Sequence, residues 1–148
     1  MIPNVLISQS ERELEAHFPT DFIAHIDGKN VTTLRQFYER IADLLEIPDF
    51  SFTLESLNDS LNDLEWLEDE RIILYFTNTN DFISKERDPA KMGSILSVLD
   101  ATAEDWKWVE DDQSSDKKEI VIVLEDSPRI RRLLDSESIN YALMSELK

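Results

Sequence analysis

Three apolar runs limit what this chain can fold into more than any other feature. They are "DFIAHI" (residues 21–26), "RIILYF" (71–76) and "EIVIVLED" (119–126), each of strand length. The second and third are continuously apolar, as strands covered on both faces are. The first ends at Asp27-Gly28, a turn signal. The segments between the runs are long enough to hold helices. Strands joined in that way imply right-handed crossovers and a parallel sheet. The expected fold class is therefore α/β: a small three-stranded parallel sheet layered with helices, with N- and C-terminal helical extensions. The divisions that follow are an extension at 1–20, an α/β domain at 21–126 and a C-terminal helical extension at 127–148. A chain of 148 residues is enough for one core and short of two comfortable domains.

The intervening patterns support this order. In "TTLRQFYERIADLLEI" the residues Leu34, Phe37, Ile41, Leu44 and Leu45 recur at helical spacing behind Thr32 or Thr33 as cap, and Pro48 stops the helix. "DFSF" (49–52) is a loop with two aromatics, one expected to plug the core and one to stand outside. Thr53 caps a second helix on which Leu54, Leu57, Leu61 and Leu64 share a side. Residues 78–102 predict a short helix and then a longer one from near Pro89. Residues 103–118 form an acidic loop whose first part is free to continue that helix. Packed positions are expected for Trp66, Trp106 and Trp108. At the ends, Ser10 with Glu13 makes a capping box for a short helix. Ser127 as cap and Pro128 at the first helical position open one or two more.

Composition removes several function classes. The formal net charge is −17, from 32 acids against 15 bases. Direct nucleic-acid binding and anionic membranes both need a basic face, so neither is expected, and a basic partner is favoured. With no cysteine there is no disulfide, no thiolate nucleophile and no thiolate zinc site. With two glycines, no phosphate-cradling Gly-rich loop can be drawn. No signal peptide and no membrane-length apolar stretch is visible, so a cytoplasmic location is expected. His17 and His25 stand apart from any nucleophile or ligand set. No catalytic residue, metal centre or cofactor is assigned, and the chain is not expected to be an enzyme. Its many carboxylates keep a carboxylate-held metal as a distant alternative.

The acids are unevenly placed. Residues 41–70 contain ten of them and no Lys, Arg or His. Within this block Glu55, Asp59 and Asp63 lie four apart, opposite the leucines, because each helical residue turns by about 100°. Like charges at that spacing weaken a helix by a few tenths of a kcal/mol per pair. Asp63 sits near the negative end of the helix dipole, which adds to the conflict. A stripe kept against local stability is read as serving a partner; the bland alternative is a solvated helix face.

Several of these stretches together resemble the barstar family, intracellular inhibitors of the ribonuclease barnase. "IDGKNVTTLRQFYERIADLLEIPDF" resembles the family's opening strand, Gly turn, helix and Pro-acid-aromatic loop. "LESLNDSLNDL" is similar to its acidic inhibitory helix. "RIILYF" and "EIVIVLED" fit its second and third strands. The resemblance implies that this helix and the loop before it cover a nuclease active site, with acids where substrate phosphates would lie. Asp59 matches the central inhibitory aspartate and Glu55 the acid one turn earlier. Asn58 falls where the family often has Trp, Asp63 at a helix-end glycine, and Asp49 or Phe50 in the loop tyrosine region. The acid on the family's last helix falls near Ala101, beside Asp100. The partner-binding set so implied is Asp49, Phe50, Glu55, Asn58, Asp59, Asn62 and Asp63, facing a basic ribonuclease or toxin nuclease. The alternative is an adaptor that reuses the fold without a nuclease.

Overall fold

The computed structural model describes residues 3–88, 90–108 and 117–146. In chain order its elements are β1 (Val5–Ser8), α1 (Glu11–His17), β2 (Phe22–Asp27), α2 (Leu34–Leu44), α3 (Leu54–Leu61), β3 (Arg71–Thr77), α4 (Ala90–Lys107), β4 (Glu119–Glu125), α5 (Pro128–Ser136) and β5 (Tyr141–Leu143), then a 3-10 turn at Met144–Glu146. All strands are parallel, in the order β2-β3-β4-β1-β5. The α/β class and the parallel sheet are as expected, but the sheet has five strands, not three.

The two added strands come from the flanking segments that the sequence reads as helical. β1 is only four residues, "VLIS", too short for an alternation to register, and all four are buried. It is held on both sides: Val5 pairs with Ile122 of β4 and with Tyr141 of β5. β5 is three residues within "INYALMSEL", whose Ala, Leu and Met favour helix. An unpaired edge of β1 overrides that weak preference. The Pro89 expected to open α4 and residues 109–116 of the acidic loop lie outside the described residues.

The sheet explains the three apolar runs. On the front face Val5, Ile7, Ala24, Ile26, Ile72, Leu74, Phe76, Ile120, Ile122 and Leu124 meet the helices α2 to α5 in the main core. On the back face Ile73, Tyr75, Val121, Val123 and Leu6 meet Leu14, Phe18 and Met144. β3 and β4 are thus apolar on both sides. β2 is an edge strand whose back-face His25 is exposed, stacked on Tyr75 with ring centroids 5.2 Å apart.

Residues 79–85 form turns instead of the expected short helix. Here Asn78 and Ile83 have left-handed backbones, φ 49° and 51°, which interrupt a helical run. Arg129 of α5 donates to the carbonyls of Thr79, Asn80 and Phe82 at 2.9, 3.1 and 2.7 Å. The same turns press on Gly28. A Cβ there would collide with the Asn78 carbonyl oxygen and stand 2.9 Å from both Phe82 N and Thr77 O, so only glycine fits the exit from β2.

Candidate partner-binding site

The acidic face is built on α2, the following loop and α3. The loop begins where α2 closes on itself. Ile47 N donates to the Ala42 carbonyl at 3.0 Å, with Glu46 left-handed between them (φ 50°). This is a Schellman closure with a glutamate where glycine is usual. Ile47 is buried and Pro48 ends any further helix. Asp49 and Phe52 are also left-handed, φ 53° and 55°. Thr53 then caps α3 by accepting a hydrogen bond from Ser56 N, and Ser56 Oγ accepts one from Ser51 N at 3.1 Å. The loop is therefore fastened to the first turn of the helix it precedes.

α3 buries Leu57 and Leu61 and leaves Glu55 and Asp59 exposed. Its last residue is held by Trp106 Nε1, which donates to the Leu61 carbonyl, and the segment after it is tied to the end of α2 by Trp66 Nε1, which donates to the Leu45 carbonyl, both at 2.7 Å. Without its acceptor the buried Trp106 indole would leave an unpaired N–H, which costs about 1–3 kcal/mol. Just beyond the site, the buried Lys118 donates Nζ to the carbonyls of Leu67 and Asp69 at 2.6 and 2.7 Å. A cation thus holds the backbone of the acidic segment after α3 and leaves its carboxylates outside.

The helix ends earlier than its leucine spacing predicts. α3 stops at Leu61, Asn62 is its C-cap, and Leu64 is left-handed (φ 50°) and fully buried. Asp63 is therefore exposed in the turn after the helix, not on it. Asn62 Nδ2 donates to the Asn58 backbone carbonyl at 2.9 Å and to Asn58 Oδ1 at 3.2 Å, so these two amides cap the helix end against each other. That leaves Asn58 Nδ2 and Asn62 Oδ1 for anything outside.

Among the described residues, no ion pair involves Glu55, Asp59 or Asp63. Two of the three "RIRR" arginines are engaged elsewhere: Arg129 is on the 79–82 carbonyls, and Arg131 grips Asp126 at 2.7 and 2.8 Å. The ridge of carboxylates is open to solvent. Asp100, beside the last-helix acid position of the resemblance, is half-buried and accepts from Asn4 Nδ2 at 3.1 Å, while Ala101 is exposed.

The two loop aromatics divide as expected. Phe50 is half-buried, edge-on to the buried Tyr38 at 5.7 Å. Burial pushes the Tyr38 phenol pKa up. Phe52 is 44% exposed, 5.2 Å from Phe50, with the Arg35 guanidinium over its ring at 5.7 Å. Sequence reasoning placed Phe50 in the partner set and had no way to choose Phe52. The only local hint is that Phe52 directly precedes the Thr53 cap. Trp108 was also missed: expected to pack, it is 73% exposed, with Nε1 donating to Glu104 at 2.8 Å.

A family model described as Barstar (barnase inhibitor) matches residues 22–125, taking in β2, α2, the loop, α3, β3, α4 and β4. The chain belongs to the barstar family. No curated protein matches it. The barstar match stops short of β1, α1, α5 and β5, although β1 and β5 complete the sheet.

Proposed function

We propose that this barstar-family protein is a cytoplasmic, non-catalytic inhibitor that occludes the active site of a basic ribonuclease or toxin nuclease. The observation that carries the reading is the pair of exposed carboxylates Glu55 and Asp59 on α3, followed by Asp63 in the turn after it, none in an ion pair among the described residues, beside an anchored loop. Carboxylates left without a partner on a fixed surface are ready to accept hydrogen bonds from arginine and lysine without first breaking bonds of their own. A cationic cleft made for phosphates offers those donors. Asp49 and Phe50 border the ridge, and Asn58 and Asn62 add spare amide groups. Charge steering speeds the encounter.

The test uses barnase as the probe, because the family is described as its inhibitor. Wild type should inhibit RNA cleavage by barnase. Asp59→Lys should weaken inhibition at least about 30-fold, the equivalent of about 2 kcal/mol, at the low end of what loss of a buried charge pair costs, a range drawn in part from the barnase–barstar complex itself. Equal inhibition by both proteins overturns the reading. An adaptor role is favoured by Asn58 and Ala101 standing where the family usually has key contacts. On that reading Asp59→Lys leaves binding of the chain's partner intact.

A further inference from the structure

Resting on the inhibitor reading, we infer that Phe52, held by Arg35, is an aromatic anchor that inserts into an apolar recess at the rim of the nuclease cleft. Three independent features meet at this one side chain. Phe52 is one of two large hydrophobic residues that are exposed among the described residues. Its backbone is left-handed, φ 55°, a conformation that favours glycine and that a bulky residue adopts only under constraint. Its ring also has two neighbours, the Phe50 ring at 5.2 Å and the guanidinium of the exposed Arg35 at 5.7 Å. Arg35 is in turn held by Glu39, Nε to Oε1 at 2.8 Å. An exposed apolar ring that already rests against neighbours has less freedom to lose when a partner arrives, which suits a binding anchor. The ring stands one residue before the cap of α3, so it lies at the N-terminal end of the carboxylate ridge. A partner whose basic cleft receives Glu55 and Asp59 meets Phe52 at its edge.

Arg35 gives the inference a sign that steering alone does not. Arg35→Glu exchanges +1 for −1 and takes the net charge from −17 to −19. A partner attracted only by charge would then bind more tightly. If Arg35 works by holding the Phe52 ring, binding weakens instead.

The experiment measures thermal unfolding and the affinity for barnase of wild type, Phe52→Gly, Arg35→Glu and Asp59→Lys. The expected result is that Phe52→Gly unfolds at the same or a higher temperature than wild type, since glycine relieves the left-handed backbone, yet binds at least tenfold more weakly. Arg35→Glu should bind several-fold more weakly despite its added negative charge. If Phe52→Gly lowers the unfolding temperature, the ring is a structural plug and the inference fails. If Phe52→Gly binds as wild type does, or Arg35→Glu binds more tightly, while Asp59→Lys loses binding, the inference alone fails. If wild type does not bind barnase, or Asp59→Lys binds equally well, the inhibitor reading falls and the inference with it.

Discussion

At the end of β4, Asp126 takes two hydrogen bonds from Arg131 and a third from Gln9 of the β1–α1 turn. The Arg131 bonds hold its carboxyl below the ordinary value of 3.8, and Asp27 is held down in the same direction by Asn78. A carboxylate whose folded-state pKa is depressed contributes stability above its unfolded value, and that contribution is lost as pH falls through the folded value. Urea unfolding of wild type and Asp126→Asn should therefore differ most at neutral pH and converge as pH falls below 3.8. A difference independent of pH would mean the charge is not what matters. Single residues were legible where chemistry alone decides. Asp59 and Glu55 were readable as outward acids because leucines occupy the opposite side of the same helix. Asp63 was not readable as lying beyond the helix, because that depends on Leu64 turning left-handed into the core. The choice between Phe50 and Phe52 depends likewise on three left-handed residues that no local preference announces.

The helices were legible at their starts and less so at their ends. Ser10, Thr33, Thr53 and Ser127 each accept a hydrogen bond from the backbone three residues on, as their sequence positions predict. Thr33 with Gln36 forms a reciprocal capping box. The ends were hidden because a chain with two glycines must close its helices with other residues. Glu46 after α2 and Ser138 after α5 take the left-handed position in two closures of the same kind, with Ile139 N reaching the Leu134 carbonyl at 2.9 Å in the second. Thr53 is the cap whose loss bears on the site. Thr53→Ala should cost about 1 kcal/mol of stability, read from the urea midpoint. It should also weaken inhibition, since the loop carrying Asp49, Phe50 and Phe52 runs directly into that cap. A Thr53→Ala protein as stable as wild type would mean that α3 is fixed by Leu57 and Leu61 alone.

At the scale of the whole molecule, the central strands and the layer of helices were legible because β3 and β4 are buried on both faces and carry no polar interruption. β1 and β5 were not, because both are held by pairing that a short sequence does not announce: β5 has no neighbour but β1, and β1 lies between β4 and β5. Removal of residues 1–9 should thus leave β4 and β5 without their common neighbour and abolish a cooperative urea transition in far-UV circular dichroism. A truncated chain that unfolds cooperatively near the wild-type midpoint would show that the family-matched core stands alone. For the same reason deletion of 127–148, which removes α5 and β5, should also disrupt the fold. The central claim is that carboxylates on one outward ridge take the place of phosphates in a cationic cleft. Its most direct test is the association rate with barnase as ionic strength rises from about 0.01 M to about 1 M, where the screening length falls from about 30 Å to about 3 Å. The wild-type rate should drop steeply, and a variant carrying Glu55→Gln, Asp59→Asn and Asp63→Asn should start slower and respond far less to salt. A wild-type rate indifferent to salt, or an equal salt response in the variant, would contradict the account.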